Sequence, residues 1–451
     1  MSGPDAPAAL GISGRVGRPQ TPSAVSPALS PTLWINEETA RRRAAGAPVV
    51  ALGFGEAGIP VLPELVERLA GAAPRAEYGP VAGIPELREA IAGYWRRRSI
   101  DAAPDRVIAA PGSKPLLYAA VHAIGGPIAL PRPSWVSYAA QAALAGARAV
   151  PVPVAGDAGG VPAPDRLEDT ARRARAEGAP LRAAILTLPD NPTGTLADAD
   201  TVRAVCEVAE RHDLLVICDE IYRDLVHDAE RPVVSPAELV PERTILTTGL
   251  SKNLALGGWR IGAARFPAGP RGRELHRAVL GIASEIWSAP AAPIQRAAAW
   301  AFGEPEPVVA RIAASRMLHA VLARAVADAL VRHGAALRAP AAAFYLYPSF
   351  EAHRERLAAM GADTGPRLAA ELLDRHGVAT LPASAFGEPE EVLSLRLATS
   401  GLYGEDDARR LRALADPDPV RLPWIAEQLT AFDTALRGLL GTGGRSSAAA
   451  R

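Results

Sequence analysis

The sequence predicts an α/β fold with two domains: a large domain built on a mainly parallel sheet, and a smaller α/β domain. At 451 residues the chain is long enough to bury two cores. Between residues 106 and 248 short apolar runs alternate with helical segments, which is typical of a parallel sheet with helices on both faces. Beyond about residue 271 the pattern becomes helical and then mixed, which indicates the second domain.

The first predicted elements precede the sheet. About thirty N-terminal residues are rich in proline, alanine, glycine and serine, and are interpreted as a flexible arm. A short apolar strand is predicted at 48–54, and helices at 63–73 and 84–98, the first of which begins with a proline.

The sheet and the second domain follow along the chain. Sheet strands are predicted at 107–110, 128–130, 147–152, 183–188, 214–218 and 244–248. A long helix is predicted at 305–333, then strands at 344–347, 378–381 and 392–397, and a closing helix at 424–440. Because parallel sheets bind ligands at the carboxyl ends of their strands, polar residues at those ends are the candidate site residues.

The charge balance indicates a small-molecule partner. The 49 Lys+Arg and 49 Asp+Glu give a formal net charge of zero, so no net field attracts nucleic acid or an anionic membrane. The two cysteines, Cys206 and Cys218, form neither a disulfide framework nor a metal-binding spacing. No apolar run approaches the roughly 20 residues of a membrane span. We therefore expect a soluble, cytoplasmic protein without a metal centre.

Lysine occurs only at Lys114 and Lys252, although Lys and Arg together number 49. A codon bias towards arginine explains the loss of lysine elsewhere, but it does not explain the two that remain. An amine can form an imine and can lose its charge when buried, whereas a guanidinium does neither. Both lysines are therefore candidates for chemistry.

Three motifs lie at or just beyond the ends of predicted strands. In chain order they are Asp190-Asn191-Pro192-Thr193-Gly194, Asp219-Glu220-Ile221-Tyr222, and Ser251-Lys252 with Arg260 eight residues after the lysine. In that order, the motifs supply an amide, a carboxylate with a phenol, and an amine with a guanidinium. This combination of groups is specific.

With these motifs, the sequence from about residue 26 to 439 resembles the class I/II aminotransferases of fold type I, the aspartate-aminotransferase-like enzymes. The resemblance implies their three-layer transferase fold and pyridoxal 5'-phosphate (PLP), bound to Lys252 as a Schiff base. It further implies that Asp219 pairs with the pyridine nitrogen, and that Asn191 and Tyr222 hydrogen-bond the phenolic oxygen. A buried carboxylate keeps the pyridine protonated, so that the ring can accept electrons from the substrate Cα, and the displaced amine of Lys252 can move the proton.

The resemblance also assigns the cofactor phosphate. The segment Pro111-Gly112-Ser113-Lys114 ends a strand and begins a helix, whose N–H groups favour an anion. The implied phosphate-site residues are Gly112, Ser113, Lys114, Ser251 and Arg260, with Tyr78 contributed by the neighbouring subunit. The role of Tyr78 implies a homodimer with shared active sites.

The remaining implied residues face the ring or the substrate. Trp135 is implied to stack on the pyridine ring, since a flat indole contributes contact area at little entropic cost. Arg396, within an apolar strand, is implied to clamp the substrate α-carboxylate through two parallel hydrogen bonds, with the backbone of Gly55 and with Asn191 nearby. Trp34, in the entrance segment, is interpreted as a substrate-binding residue and favours a donor with a sizeable side chain.

The predicted function is transfer of an amino group from an amino acid to a 2-oxo acid. The same cofactor residues serve PLP-dependent lyases and oxygen-using oxidases or hydroxylases, which remain the alternative. The predicted division of the chain is a flexible arm at 1–30, an N-terminal part of the small domain at 31–60, a large PLP-binding domain at 61–315, a C-terminal small domain at 316–440 and a disordered tail at 441–451.

Overall fold

The computed structural model describes residues 30–156 and 158–441. Apart from Ser30 and Gly441, the predicted arm and tail lie outside the described residues. No helix in the described ranges is long and apolar enough to cross a membrane.

The strands are β1 Val50–Ala51, β2 Val107–Ala110, β3 Ile128–Arg132, β4 Ala149–Pro153, β5 Ala183–Thr187, β6 Leu215–Asp219, β7 Thr244–Gly249, β8 Gly262–Arg265, β9 Tyr345–Leu346, β10 Val378–Ala379, β11 Leu381–Pro382 and β12 Leu395–Ala398. The helices are α1 Pro31–Ala44, α2 Pro63–Ala72, α3 Pro85–Arg96, α4 Ser113–Ile124, α5 Val136–Leu144, α6 Pro164–Ala176, α7 Ala199–Arg211, α8 Pro236–Leu239, α9 Leu250–Asn253, α10 Gly269–Ile286, α11 Ala292–Phe302, α12 Glu306–Arg332, α13 Arg354–Ala359, α14 Gly365–His376, α15 Asp407–Ala415 and α16 Pro423–Leu440.

A seven-stranded sheet has the order β2-β8-β7-β6-β5-β3-β4. Strands β3 to β7 pair in parallel, and β8 runs antiparallel to both of its neighbours. The mainly parallel sheet is thus confirmed. The antiparallel β8 was not predicted, because its sequence Gly-Ala-Ala-Arg contains no large apolar residue.

Helices cover both faces of this sheet, which gives three layers. Along β5, Ile185 packs in one cluster with Leu117 of α4, and Leu186 packs in the opposite cluster with Val205 of α7. Successive strand residues point to opposite faces, so a fully buried strand reads as a continuous apolar run. This is why the sequence predicted β5 so readily.

A second core lies around the short strands near the C-terminus. Strand β12 pairs with both β9 and β11, and β1 pairs with β10 through Val50 and Val378. Helix α12 joins the two cores, since Val308 packs in the sheet cluster and Leu318 in the second one. On these contacts we propose the domain division at 31–60, 61–315 and 316–440.

Several predicted strands are shorter in the structure. The strand predicted at 48–54 is reduced to β1, because only Val50 and Ala51 pair with β10. The strand predicted at 378–381 is divided between β10 and β11, which belong to different sheets. The strand predicted at 392–397 begins later, at Leu395. In each case most of the apolar run is buried or half-buried, but the pairing partner sets the length of the strand.

Candidate active site

A cavity of about 470 Å³ lies where the sheet strands end. Of the residues predicted for the site, its lining includes Gly55, Ser113, Lys114, Trp135, Asn191, Asp219, Tyr222, Ser251, Lys252, Arg260 and Arg396. Asp219 is the last residue of β6 and Lys252 lies in α9, immediately after β7. The strand ends therefore bring together side chains that are far apart in the sequence.

The amine of Lys252 reaches across the cavity. Its Nζ donates a hydrogen bond to the backbone oxygen of Gly55 at 2.6 Å, and the side chain is partly buried. A primary amine that faces a cavity can attack an aldehyde, or accept and deliver a proton.

Asp219 is 3% exposed and is held by two hydroxyls. Its Oδ1 accepts a hydrogen bond from Thr247 and its Oδ2 accepts one from Tyr138, each at 3.0 Å. Burial raises the pKa of Asp219 to about 6, although both hydrogen bonds lower it. A cation next to this carboxyl group would stabilise the ionised form, so the position suits a protonated ring nitrogen.

Asn191 and Tyr222 form a second polar group in the same cavity. The amide Nδ2 of Asn191 donates a long hydrogen bond of 3.5 Å to the Tyr222 hydroxyl, which also bonds to the hydroxyl of Tyr345 at 2.9 Å. The Oδ1 of Asn191 is buried without a partner among the described residues. Burial and then Tyr345 raise the pKa of Tyr222, so its phenol stays protonated and can donate to an anionic oxygen.

Close packing against two glycines brings the start of α4 and Arg260 together. Gly112 has φ +92 and directly precedes α4, and a Cβ atom there would clash with the guanidinium of Arg260. A Cβ atom at Gly262 would clash with the backbone nitrogen of Ser113. The α4 N–H groups and Arg260 thus lie side by side, which favours a phosphate.

Arg396 is 1% exposed and lies on β12. Its guanidinium donates to the backbone oxygen of Gly53, while its Nε has no partner among the described residues. The rings of Tyr345 and Phe386 lie 5.1 and 5.2 Å from the guanidinium carbon. A substrate carboxylate would satisfy the unused donor, because carboxylates bind guanidinium in pairs of hydrogen bonds.

Trp135 and Lys114 border the same cavity. The indole of Trp135 is half-buried and meets the Tyr138 ring edge to face, with centroids 5.2 Å apart. The Nζ of Lys114 lies 5.0 Å from the centroid of the indole. Desolvation, followed by the positive charges of Arg260 and Lys252, lowers the pKa of Lys114.

Three predicted site residues do not line this cavity: Gly112, Tyr78 and Trp34. Gly112 directly precedes the lining residue Ser113 at the start of α4. Tyr78 is 95% exposed, and Trp34 is 53% exposed on α1. Thr32 and Leu33, from the same segment as Trp34, do line it. The helical rotation between adjacent residues, about 100°, turns the indole away from the cavity.

Sequence reasoning missed Tyr138 and Tyr345. Tyr138 is buried, and its hydroxyl donates a hydrogen bond to Asp219. Tyr345 lines the cavity beside Tyr222. The only local signal of a polar role was a tyrosine within an otherwise apolar run, because a buried tyrosine hydroxyl needs a hydrogen-bond partner.

Comparisons with known proteins find relatives over most of the chain. The sequence model of the family "Aminotransferase class I and II" matches residues 48–414. The aspartate aminotransferase of Geobacillus stearothermophilus is 34% identical over 382 residues, covering 82% of this chain and 92% of the relative. A probable aspartate/prephenate aminotransferase of Thermus aquaticus is 32% identical, covering 79% and 89%.

Solved structures share the fold. The aspartate aminotransferase from Thermus thermophilus with maleate superimposes with a TM-score of 0.74 at 28% identity, covering 86% of this chain and 95% of that one. An aminotransferase from Mycobacterium tuberculosis has a TM-score of 0.76 at 23% identity, covering 94% and 100%, and this likeness supports the fold alone.

Proposed function

The chain belongs to the class I and II aminotransferases and is a PLP-dependent enzyme, and from that premise we propose the residues that bind its cofactor and carry its amino-group transfer. The observation that carries the proposal is one cavity lined by Lys252, Asp219 and Arg396. These side chains supply an amine, a buried carboxyl group and a buried guanidinium.

The chemistry of the cavity residues fits PLP. The α4 N-terminus and Arg260 suit its phosphate, Asp219 suits its ring nitrogen, and the donors of Asn191 and Tyr222 suit its phenolic oxygen. When bound, PLP supplies an electrophilic carbon for the amino group and a protonated ring that accepts electrons from the substrate Cα. Asn191 Oδ1, buried without a partner among the described residues, is a further polar atom that a ligand could satisfy.

Lys252 has two roles in the proposal. Its amine attaches the cofactor, and its contact with Gly55 supports an amine that already points into the cavity. With PLP and substrate bound, Nζ of Lys252 would be the group that accepts the proton from the substrate Cα and returns it to the carbon that carries the amino group.

Arg396 holds the α-carboxylate of the substrate and thereby fixes which Cα bond faces Lys252. The guanidinium is already oriented by Gly53 and by the rings of Tyr345 and Phe386. Because these contacts hold the guanidinium in one orientation, little side-chain freedom is lost when the substrate binds.

We propose a donor with a second carboxylate. The relatives named above are aspartate or aspartate/prephenate aminotransferases. Lys114 lines the cavity, and its amine makes no hydrogen bond with a described residue, so it is available to a second carboxylate while its backbone amide serves the phosphate. The exposed position of Trp34 gives no support to a large apolar donor.

A donor panel tests the function. Purified holoenzyme is mixed with aspartate, alanine or phenylalanine, and the absorption of the bound cofactor is followed with oxygen present and with oxygen excluded. We expect a spectral change fastest with aspartate, reversed by a 2-oxo acid and independent of oxygen. Oxygen uptake, or ammonia release without a reversible spectral change, would instead support an oxidase or a lyase.

We also propose a homodimer with shared active sites. Tyr78 is 95% exposed and Ile286 is 65% exposed, as expected of residues that a partner subunit covers. Light scattering should give twice the mass of one chain. If the Tyr78→Phe variant forms a dimer and binds PLP as tightly as the wild type, the Tyr78 hydroxyl does not contribute to the phosphate site.

A cytoplasmic location is part of the proposal. Both Cys206 and Cys218 are buried free thiols, as expected in a reducing compartment. Fractionation of expressing cells should find the protein with cytoplasmic enzymes.

A further inference from the structure

A second cavity, of about 530 Å³, lies apart from the candidate active site and shares no lining residue with it. The chain has two packing units, one around the seven-stranded sheet and one around the second core, and residues of both line this cavity. Arg132, Pro153 and Thr193 lie on the sheet side, and Arg338, Tyr347 and Ser394 lie on the side of the second core. A ligand held there would touch both units.

The cavity contains a cation without a protein partner. Arg338 lines it, is partly buried, and makes neither a hydrogen bond nor an ion pair with a described residue. Among the described residues, the other charged groups in the lining are Arg132 and Glu388, whose Nε and Oε2 atoms are 3.7 Å apart. The positive charge of Arg338 also acts on Glu388, so two guanidinium groups share one carboxylate and the lining carries one net positive charge.

Two hydroxyl groups line the same cavity as this cation. The Tyr347 hydroxyl is buried without a hydrogen-bond partner among the described residues. Ser394 is 6% exposed, and its side chain likewise makes no hydrogen bond with a described residue. A buried donor is normally satisfied, so the unused Tyr347 hydroxyl in the cavity lining points to a ligand that accepts hydrogen bonds.

The rest of the lining is largely apolar. Pro133, Pro153, Val154 and Leu337 are also part of the lining. A fully hydrated inorganic anion would gain little from such walls, whereas a carboxylate with an apolar body would bury that body against them.

We propose that this cavity is a second binding site, specific for a small organic carboxylate that carries one negative charge and an apolar body. Arg338 binds the carboxylate through its planar guanidinium, and the hydroxyls of Tyr347 and Ser394 donate to the same group. The proline and aliphatic side chains pack against the body of the ligand.

The test uses 4-fluorobenzoate as the probe, and its binding to holoenzyme is followed by fluorine NMR line width. Wild type, Arg338→Gln and Arg421→Gln are compared. Arg421 is a matched control because its side chain is 85% exposed in a surface ion pair with Asp418. The active site is the same in all three proteins, so a difference between them reports the second cavity.

We expect Arg338→Gln to weaken binding of the probe by about tenfold or more, as for loss of a charge-assisted hydrogen bond, and Arg421→Gln to leave it unchanged. Equal binding by wild type and Arg338→Gln, or no binding by the wild type, overturns the proposal. Ser394→Ala, which removes one donor and leaves the charge, should weaken binding severalfold. This second variant decides the question if Arg338→Gln loses thermal stability.

Discussion

The hydroxyl of Tyr138 donates a hydrogen bond to Oδ2 of Asp219 at 3.0 Å, from a residue that is 1% exposed. Thr247 binds the other carboxylate oxygen. The two donors fix the plane of the carboxyl group and favour its ionised form, while burial opposes ionisation and raises the pKa of Asp219 to about 6. Tyr138 is therefore proposed as a positioning residue that acts through Asp219.

Replacing Tyr138 with phenylalanine should weaken PLP binding by about tenfold or more, because a hydrogen bond to a charged group contributes about 1.5–3 kcal/mol. The pKa of Asp219 should rise further, so the loss of affinity should be larger on the acid side of neutrality. Equilibrium titration of apoenzyme with PLP at several pH values measures both effects.

Tyr118→Phe is the matched control, since Tyr118 lies on α4 outside the cavity lining. It should leave PLP affinity unchanged at every pH. If Tyr138→Phe lowered thermal stability but gave the same pH profile of PLP affinity as the wild type, Tyr138 would be structural only.

The two lysines of the chain make attachment of the cofactor a simple test. Lys252→Ala should abolish the visible absorption band of bound PLP, whereas Lys114→Ala should retain it. Borohydride reduction of the wild type, followed by peptide mass spectrometry, should add the cofactor mass to the peptide that contains Lys252. A cofactor mass found on Lys114 would contradict the assignment.

Arg396→Lys keeps the charge but loses the paired donors that match a carboxylate. We expect kcat/KM for the amino donor to fall on the order of a hundredfold, as for a loss of about 3 kcal/mol of charge-assisted hydrogen bonding. PLP affinity should change little. Arg265→Lys is the control: Arg265 is 0% exposed but lies outside the cavity lining, so it should affect stability and leave the KM of the donor unchanged.

Lys114→Met tests the proposed donor class. If the amine binds a second carboxylate, KM for aspartate should rise by about tenfold, as expected from the loss of one charge-assisted contact, while KM for alanine stays the same. PLP affinity should also stay the same. An equal loss for both donors, together with weaker PLP binding, would place the amine at the phosphate instead.

The parts of the site that the sequence predicted are those encoded locally. Asp219 and Lys252 follow apolar runs, and a run that becomes a buried parallel strand delivers the residue at its end to the edge of the sheet. Tyr138 and Tyr345 escaped prediction because their roles depend on contacts between elements far apart in the sequence.

The orientation of individual side chains also could not be predicted from the sequence. The entrance segment reaches the cavity as expected, yet Thr32 and Leu33 line it, and Trp34, one residue further along α1, does not. Similarly, the strand predicted at 378–381 is divided where the chain passes from one sheet to another, which no hydrophobic pattern marks. The pattern of apolar and polar residues predicts which residues are buried. The pairing partner decides where a strand ends and which sheet it joins.

Because of Asp190, we expect the free energy of unfolding to fall as the pH rises. Burial raises its pKa to about 7, although Thr193 donates to the same carboxyl group. Between about pH 4 and about pH 7 the folded protein holds a proton that the unfolded chain releases, so this group's contribution to the free energy of unfolding declines across that window. Asp190→Asn cannot release this proton, so its thermal midpoint should decline less than that of the wild type over the same range.

Asp198→Asn provides the opposite control for that measurement. The carboxylate of Asp198 accepts a hydrogen bond from the backbone nitrogen of Thr201 at 2.7 Å, and hydrogen bonds from Thr201 lower its pKa. A lowered pKa contributes stability that is present near neutral pH and is lost on acidification. The Asp198→Asn protein should therefore be less stable than the wild type at neutral pH and approach it as the pH falls. If the thermal midpoints of the wild type and of Asp190→Asn changed with pH in the same way, Asp190 would be ionised in the folded protein.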